Sequence, residues 1–138
     1  MIQRRKLEDY MKTIYILQQD GPVRGVYIAE QMNVNKATVS VTLRSLEQEG
    51  YCFRRRDRSV SLTAKGTEIA REIVARNAGI YDLLISLGIS EAVAKTDACN
   101  IEHAISQESF YALIALGECK TKNKPVAHCC DVALAESM

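Results

Sequence analysis

The stretch Tyr27-Ile28-Ala29-Glu30-Gln31-Met32-Asn33-Val34-Asn35-Lys36-Ala37-Thr38-Val39-Ser40-Val41-Thr42-Leu43-Arg44-Ser45-Leu46-Glu47-Gln48-Glu49-Gly50 holds two helical patterns either side of a tight turn. In the first, Tyr27 to Met32, the residues Ile28, Ala29 and Met32 share one face. Asn33-Val34-Asn35 forms the turn. Asn35 is a good N-cap, because its side-chain oxygen can accept an orphan N–H of the following helix. That helix runs from Lys36 to about Glu49 with Val39, Leu43 and Leu46 as its apolar stripe, and Gly50 ends it. Two helices joined by so short a turn form a helix-turn-helix pattern. Beyond it, Tyr51-Cys52-Phe53-Arg54 and Ser59-Val60-Ser61-Leu62-Thr63 read as short strands joined by Arg55-Arg56-Asp57-Arg58. This β-hairpin with a basic tip makes the unit a winged helix-turn-helix.

The outward residues of the second helix read as Lys36, Ala37, Thr38, Ser40, Val41 and Thr42. They are small, polar or basic, which suits close approach to a major groove. The arginines Arg54, Arg55, Arg56 and Arg58 suit phosphates. The plainer alternative is a solvated hairpin with no partner.

On the N-terminal side, Leu7, Tyr10, Met11, Ile14 and Leu17 repeat with helical spacing from Leu7 to Gln19, and Asp20-Gly21-Pro22 stops the run. On the C-terminal side, a long helix is expected from Ala64 to Leu87, with Ile69, Ile73, Ile80, Leu83, Leu84 and Leu87 apolar and Gly88 closing it. Ser90 caps a helix from Glu91 to Ile105. Ser106 caps a last one from Gln107 to Leu116, ended by Gly117. Three helices with such wide apolar faces exceed what one small winged domain covers. The surplus predicts a symmetric homodimer, which would present two recognition helices to a palindromic site.

The expected fold class is mainly α: an N-terminal winged helix-turn-helix (1–63), an all-helical metal-binding and dimerisation domain (64–117), and a tail (118–138). A chain of 138 residues suits one domain or two small ones. Its 47% hydrophobic content supports a real core, and its 25% charged content argues against disorder. The net charge of +1 hides an asymmetry. Residues 1–66 carry 12 Lys/Arg against 7 Asp/Glu, or +5, and residues 67–138 carry 6 against 10, or −4. A polyanion partner is therefore expected for the first half alone. No apolar run approaches a membrane span, and the basic N-terminus is not followed by the apolar core of a signal peptide. A cytoplasmic protein without membrane contact is expected. The cysteines Cys52, Cys99, Cys119, Cys129 and Cys130 are odd in number and irregularly spaced, so they read as reduced thiols.

Within the fifth helix, Asp97-Ala98-Cys99-Asn100-Ile101-Glu102-His103 places Cys99, Glu102 and His103 at i, i+3 and i+4, on one face. A thiolate, a carboxylate and an imidazole there form a ligand set of mixed softness for a divalent transition metal. A buried Cys beside a solvated Glu-His pair is the alternative. The tail holds Cys119, His128, Cys129 and Cys130, whose spacing fits no standard zinc motif. It reads as a metal site, a short packed helix or an unrelated extension. No nucleotide loop or Ser/His/Asp set marks an enzyme.

Several stretches together resemble the diphtheria-toxin-repressor and manganese-transport-regulator family of metal-dependent transcriptional regulators, in its short branch. They are Glu8-Asp9-Tyr10-Met11-Lys12-Thr13-Ile14-Tyr15, Val23-Arg24 with Ile28-Ala29, and Thr38-Val39-Ser40. Asp57-Arg58-Ser59 with Leu62-Thr63 adds to these, and Asp97 to His103 with Ile105-Ser106 matches most specifically. The likeness covers about residues 5 to 116. It implies a winged helix, a helical dimerisation domain and an Fe(II) or Mn(II) ion between them, with Zn(II) or Co(II) as surrogates. Larger members carry a third, SH3-like domain, which this chain is expected to be too short to hold. The resemblance implies Asp9, Cys99, Glu102 and His103 as metal ligands. It implies Arg24, Asn35, Ala37, Thr38, Ser40 and Arg58 as residues meeting operator DNA, beside Lys36 from the helix face. The implied function is a repressor, not an enzyme. Two positions depart from the pattern. Asn77 stands where many members have a histidine for a second metal, and Lys12 stands where manganese-type members have a carboxylate. Tyr81 and Lys95 also occupy ancillary-ligand positions. One metal per chain is therefore expected. A degenerate site, with DNA binding constitutive or governed by thiol oxidation, is the alternative.

Overall fold

The computed structural model describes residues 3–122, in the order α1 (Arg4–Gln18), α2 (Gly25–Met32), α3 (Lys36–Gln48), β1 (Cys52–Arg54), β2 (Val60–Leu62), α4 (Ala64–Ser86), α5 (Glu91–Ala104) and α6 (Gln107–Lys122). The chain divides into two compact units, with the change from Val74 to Ala75 inside α4. The architecture is mainly α, a winged helix-turn-helix followed by a helical domain, as the sequence predicts. Among the described residues no helix is long and apolar enough to cross a membrane.

In the first unit, α1, α2 and α3 pack on one another and the hairpin closes one side. Their core is Tyr10, Met11, Ile14, Val23, Ile28, Val39, Leu43, Leu46 and Val60, all essentially inaccessible. Each such side chain contributes about 1.5–3 kcal/mol by leaving water. Asn33 turns the chain with φ 54°, a conformation asparagine tolerates. Asn35 caps α3 by accepting the Thr38 N–H at 2.8 Å. Gly50, at φ 79°, ends α3 in the left-handed conformation.

The antiparallel pair β1–β2 runs in the register Cys52↔Leu62, Phe53↔Ser61 and Arg54↔Val60. Val23 joins it through a single bridge to Val60, whose N–H donates to the Val23 carbonyl at 2.7 Å. The hairpin is thereby stitched to the segment between α1 and α2. Gln18 Oε1 adds a link from α1 by accepting the Leu62 N–H at 2.9 Å. The start of α4 is docked equally closely. A Cβ at Gly66 would overlap the Tyr51 carbonyl, so only glycine allows this approach.

In the second unit, Ile80 of α4, Ala94 and Ala98 of α5, and Ala115 of α6 are buried. Side chains of α6 lie close over Gly79 of α4, and the Leu83 side chain of α4 lies close over Gly117 of α6. A Cβ at Gly79 would stand 2.9 Å from Ile114 Cδ1, and one at Gly117 would stand 2.8 Å from Leu83 Cδ1. Ser90 Oγ accepts the Val93 N–H and Ser106 Oγ accepts the Ser109 N–H, capping α5 and α6 as expected.

Three expectations need correction. Gly117 does not end α6, which continues to Lys122 and so enters the expected tail. An interior glycine costs a helix only about 1 kcal/mol, and here it serves helix contact. Thr42 is not on the outer face of α3 but fully buried. It lies in register with Val39, Leu43 and Leu46, and its hydroxyl is satisfied by donating to the Thr38 carbonyl at 2.9 Å. Finally, α1 and α2 begin at Arg4 and Gly25, ahead of the apolar residues Leu7 and Tyr27 that mark them in sequence. His128, Cys129, Cys130 and the side chain of Cys119 lie outside the described residues.

Candidate metal centre and nucleic-acid interface

The outer face of α3 presents Lys36, Ala37, Ser40 and Val41 to solvent, with Thr38 half-buried beside them. A groove of about 160 Å³ runs between this face, the start of α2 at Gly25-Val26, and the wing. Lys36, Arg54 and Arg58 lie on it, so its charge is positive. Asn35 is exposed, but its Oδ1 is engaged in the cap, which leaves its amide N–H groups as the outward donors.

The wing is pre-shaped by its own hydrogen bonds. Arg55 N–H donates to the Ser59 carbonyl at 2.8 Å, and Arg58, at φ 69°, closes the turn with its N–H on the Arg55 carbonyl. The Asp57 carboxylate accepts both the N–H and the hydroxyl of Ser59, at 2.9 and 2.6 Å. These bonds, helped by Arg24 and Arg55 nearby, hold its pKa below the ordinary 3.8. Arg24 Nη1 donates to the Asp57 carbonyl at 3.2 Å, tying the entry of α2 to the wing. Two of the four wing arginines also work inside the fold. Arg54 pairs with Glu47 of α3 at 3.2 Å, and Arg55 donates to Ser61 Oγ at 2.7 Å while lying over Phe53. Arg56 and Arg58 are exposed at the tip.

The second cluster lies on α5. Ala94, Ala98 and Glu102 form its buried line, so a carboxylate occupies a position that helical spacing assigns to the interior. Glu102 is fully buried and the His103 side chain is 3% exposed, with Glu102 Oε1 and His103 Nε2 3.1 Å apart. The reading of this pair as solvated is thus incorrect. A buried carboxylate is costly unless paired or coordinated. Two donors on one divalent ion at ordinary bond lengths stand roughly 3–3.4 Å apart. The spacing of Glu102 and His103 therefore fits an ion as well as a hydrogen-bonded pair. Cys99, one turn away, is half-buried, and its Sγ accepts from Asn77 Nδ2 at 3.5 Å. Asp9 lies in the other unit, half-buried on α1, with Lys12 one turn further on. Cys52 differs from Cys99. It sits in the winged core with Sγ 3.8 Å from the Leu43 carbonyl, and burial pushes its thiol up to about 12. It is a packing residue.

The Asn77–Cys99 contact is not legible from the sequence, because it joins residues on separate helices. The Asp57–Ser59 turn could have been read, since an Asp accepting the N–H two residues on is a recognised turn signature.

Comparison with known proteins matches the two halves separately. Residues 4–60 match the family described as iron dependent repressor, N-terminal DNA binding domain. Residues 63–123 match iron dependent repressor, metal binding and dimerisation domain. An uncharacterized HTH-type transcriptional regulator of Methanocaldococcus jannaschii is 30% identical over 107 residues, 75% of this chain and 86% of that protein. The transcriptional regulator MntR of Salmonella typhimurium is 32% identical over 113 residues, 81% of this chain and 72% of that one. Among solved structures, a manganese-dependent transcriptional repressor in complex with manganese superposes with a TM-score of 0.73 at 26% identity, covering 81% of this chain. This chain spans about half of that protein, 52% of its length.

Proposed function

The chain belongs to the diphtheria-toxin-repressor and manganese-transport-regulator family of metal-dependent transcriptional regulators, and from that premise we propose that it is a repressor whose hold on operator DNA depends on Fe(II) or Mn(II). The observation that carries this reading is the buried Glu102–His103 pair, whose donor atoms stand 3.1 Å apart. We assign Asp9, Cys99, Glu102 and His103 as the ligands. The acidic oxygens favour Mn(II) and Fe(II), and the thiolate favours Fe(II), Co(II) or Zn(II). In this reading residues 1–63 bind DNA and residues 64–117 bind the metal and dimerise.

A bound ion would supply positive charge shared between α1 and α5, and so restrict the spacing of the two recognition helices of a homodimer. Lys36, Ala37, Thr38 and Ser40 face the major groove. Asn35 and Arg24 shape and flank that surface, and Arg58 meets the backbone. The exposed Ile85, Leu87, Ile89, Val93, Tyr111, Leu113 and Leu116 supply apolar surface for a second copy. With Lys12 and Asn77 in place of further ligands, one ion per chain is expected.

The test is DNA binding of the metal-free protein to a selected operator pool, titrated anaerobically with Fe(II), Mn(II) and Zn(II), beside a Cys99→Ala/His103→Ala variant. A tenfold or greater tightening with one ion, about 1.4 kcal/mol of coupling, that disappears in the variant supports the reading. Strong binding indifferent to all three ions refutes the metal switch and leaves a constitutive winged-helix regulator.

A further inference from the structure

We propose that Asn77 is a positioning residue for the Cys99 sulfur and that it biases the site toward thiolate-accepting ions. The proposal rests on the reading of Cys99 as a metal ligand. Asn77 on α4 and Cys99 on α5 are both half-buried, and the amide nitrogen lies 3.5 Å from Sγ. Ala94 and Ala98, on the same helix as Cys99, are fully buried.

The chemistry of the two groups determines the direction of the bond. A thiolate has no proton and can only accept, so the Nδ2 side of the amide must face it. The amide stays neutral across the physiological range, so the donor remains present at every pH the protein meets. An N–H···S bond does two things. It restricts the cysteine rotamer, so that less ordering remains to be done when an ion binds. It also stabilises the negative charge on the sulfur, which sets the energy of the sulfur's charge-transfer band. Removing such a partner typically lowers affinity about 10–100-fold. The effect is carried through sulfur, so it falls on ions that bond well to thiolate and much less on Mn(II).

The experiment uses Co(II), whose thiolate complexes show a sulfur-to-metal charge-transfer band. Co(II) and Mn(II) affinities and the Co(II) spectrum are measured for the full chain and for Asn77→Leu, Asn77→Gln, Cys99→Ser and the Asn77→Leu/Cys99→Ser double variant. The expected result is a loss of Co(II) affinity of tenfold or more in Asn77→Leu, a shift of the band to lower energy, and a smaller change for Mn(II). Asn77→Gln should recover part of both Co(II) effects. In the Cys99→Ser background, Asn77→Leu should change Co(II) affinity little, which a merely structural role of Asn77 would not give. A normal wild-type band left unchanged in position and affinity by Asn77→Leu overturns the inference alone. Equal losses for Co(II) and Mn(II), or equal losses with and without Cys99, also overturn it. Absence of the band in the wild type overturns Cys99 as a ligand, and this inference with it.

Discussion

Replacing Gly66 by Ala should destabilise the protein, against the usual effect of that change in a helix. In an unconstrained helix interior, Gly→Ala gains about 1 kcal/mol. At Gly66 the new methyl would overlap the Tyr51 carbonyl, a backbone group that cannot rotate aside. That carbonyl accepts the Thr63 N–H at 3.0 Å, and the Gly66 N–H donates to Thr63 Oγ1 at 3.1 Å. Moving the first turn of α4 away would loosen both bonds, at about 1 kcal/mol each, and the overlap itself costs about 1–3 kcal/mol. After subtracting the propensity gain, the net loss is about 3 kcal/mol. With a urea dependence of about 1–3 kcal/mol per molar, the unfolding midpoint should fall by about 1 M or more. Gly117→Ala is the control. Its new methyl meets only the end of the Leu83 side chain, which can turn away, so the net change should stay within about 1 kcal/mol of zero. Urea titrations followed by circular dichroism measure both. If Gly66→Ala were neutral or stabilising, the close docking of α4 on the end of α3 and the wing would be wrong.

Three further outcomes are expected. Asn35→Ala removes the acceptor for the Thr38 N–H and should cost about 1 kcal/mol of stability, seen as a lower unfolding midpoint; no change would mean the cap is dispensable. Asp57 has a lowered folded-state pKa, so its contribution is present above its ordinary value of 3.8 and is lost as pH falls through the folded value. The stability gap between wild type and Asp57→Asn should accordingly narrow on acidification, and a gap independent of pH would refute the Ser59 bonds as its source. Cys52, with its thiol pushed up to about 12 by burial, should resist alkylation by iodoacetamide at mildly basic pH until the protein unfolds, as peptide mass spectrometry would show. Prompt native-state labelling would place it outside the core.

The winged half was legible in the sequence because its signals are local. Asn35 as a cap, Gly50 as a stop and a basic tip between two short apolar strands are each read over a few residues, and all three take those roles in the fold. Thr42 was misplaced for the complementary reason. Its hydroxyl marks it as polar, yet that hydroxyl is satisfied by the carbonyl one turn back, after which the side chain packs as a small β-branched group. Gly117 misled in the same way. A glycine that stops one helix and a glycine that lets two helices touch look identical until the neighbouring helix is in place.

The sequence by itself determined the class of fold, the two halves of opposite charge, and the placing of Cys99, Glu102 and His103 on one helix. All of these follow from periodicity and composition. Tertiary structure alone decided that Glu102 and His103 are buried, that Asn77 reaches Cys99, and that Arg54 and Arg55 brace the wing from within. Helical spacing states which residues share a face. What that face meets depends on elements distant in the chain, and burial and hydrogen-bond partners are settled only when those elements pack.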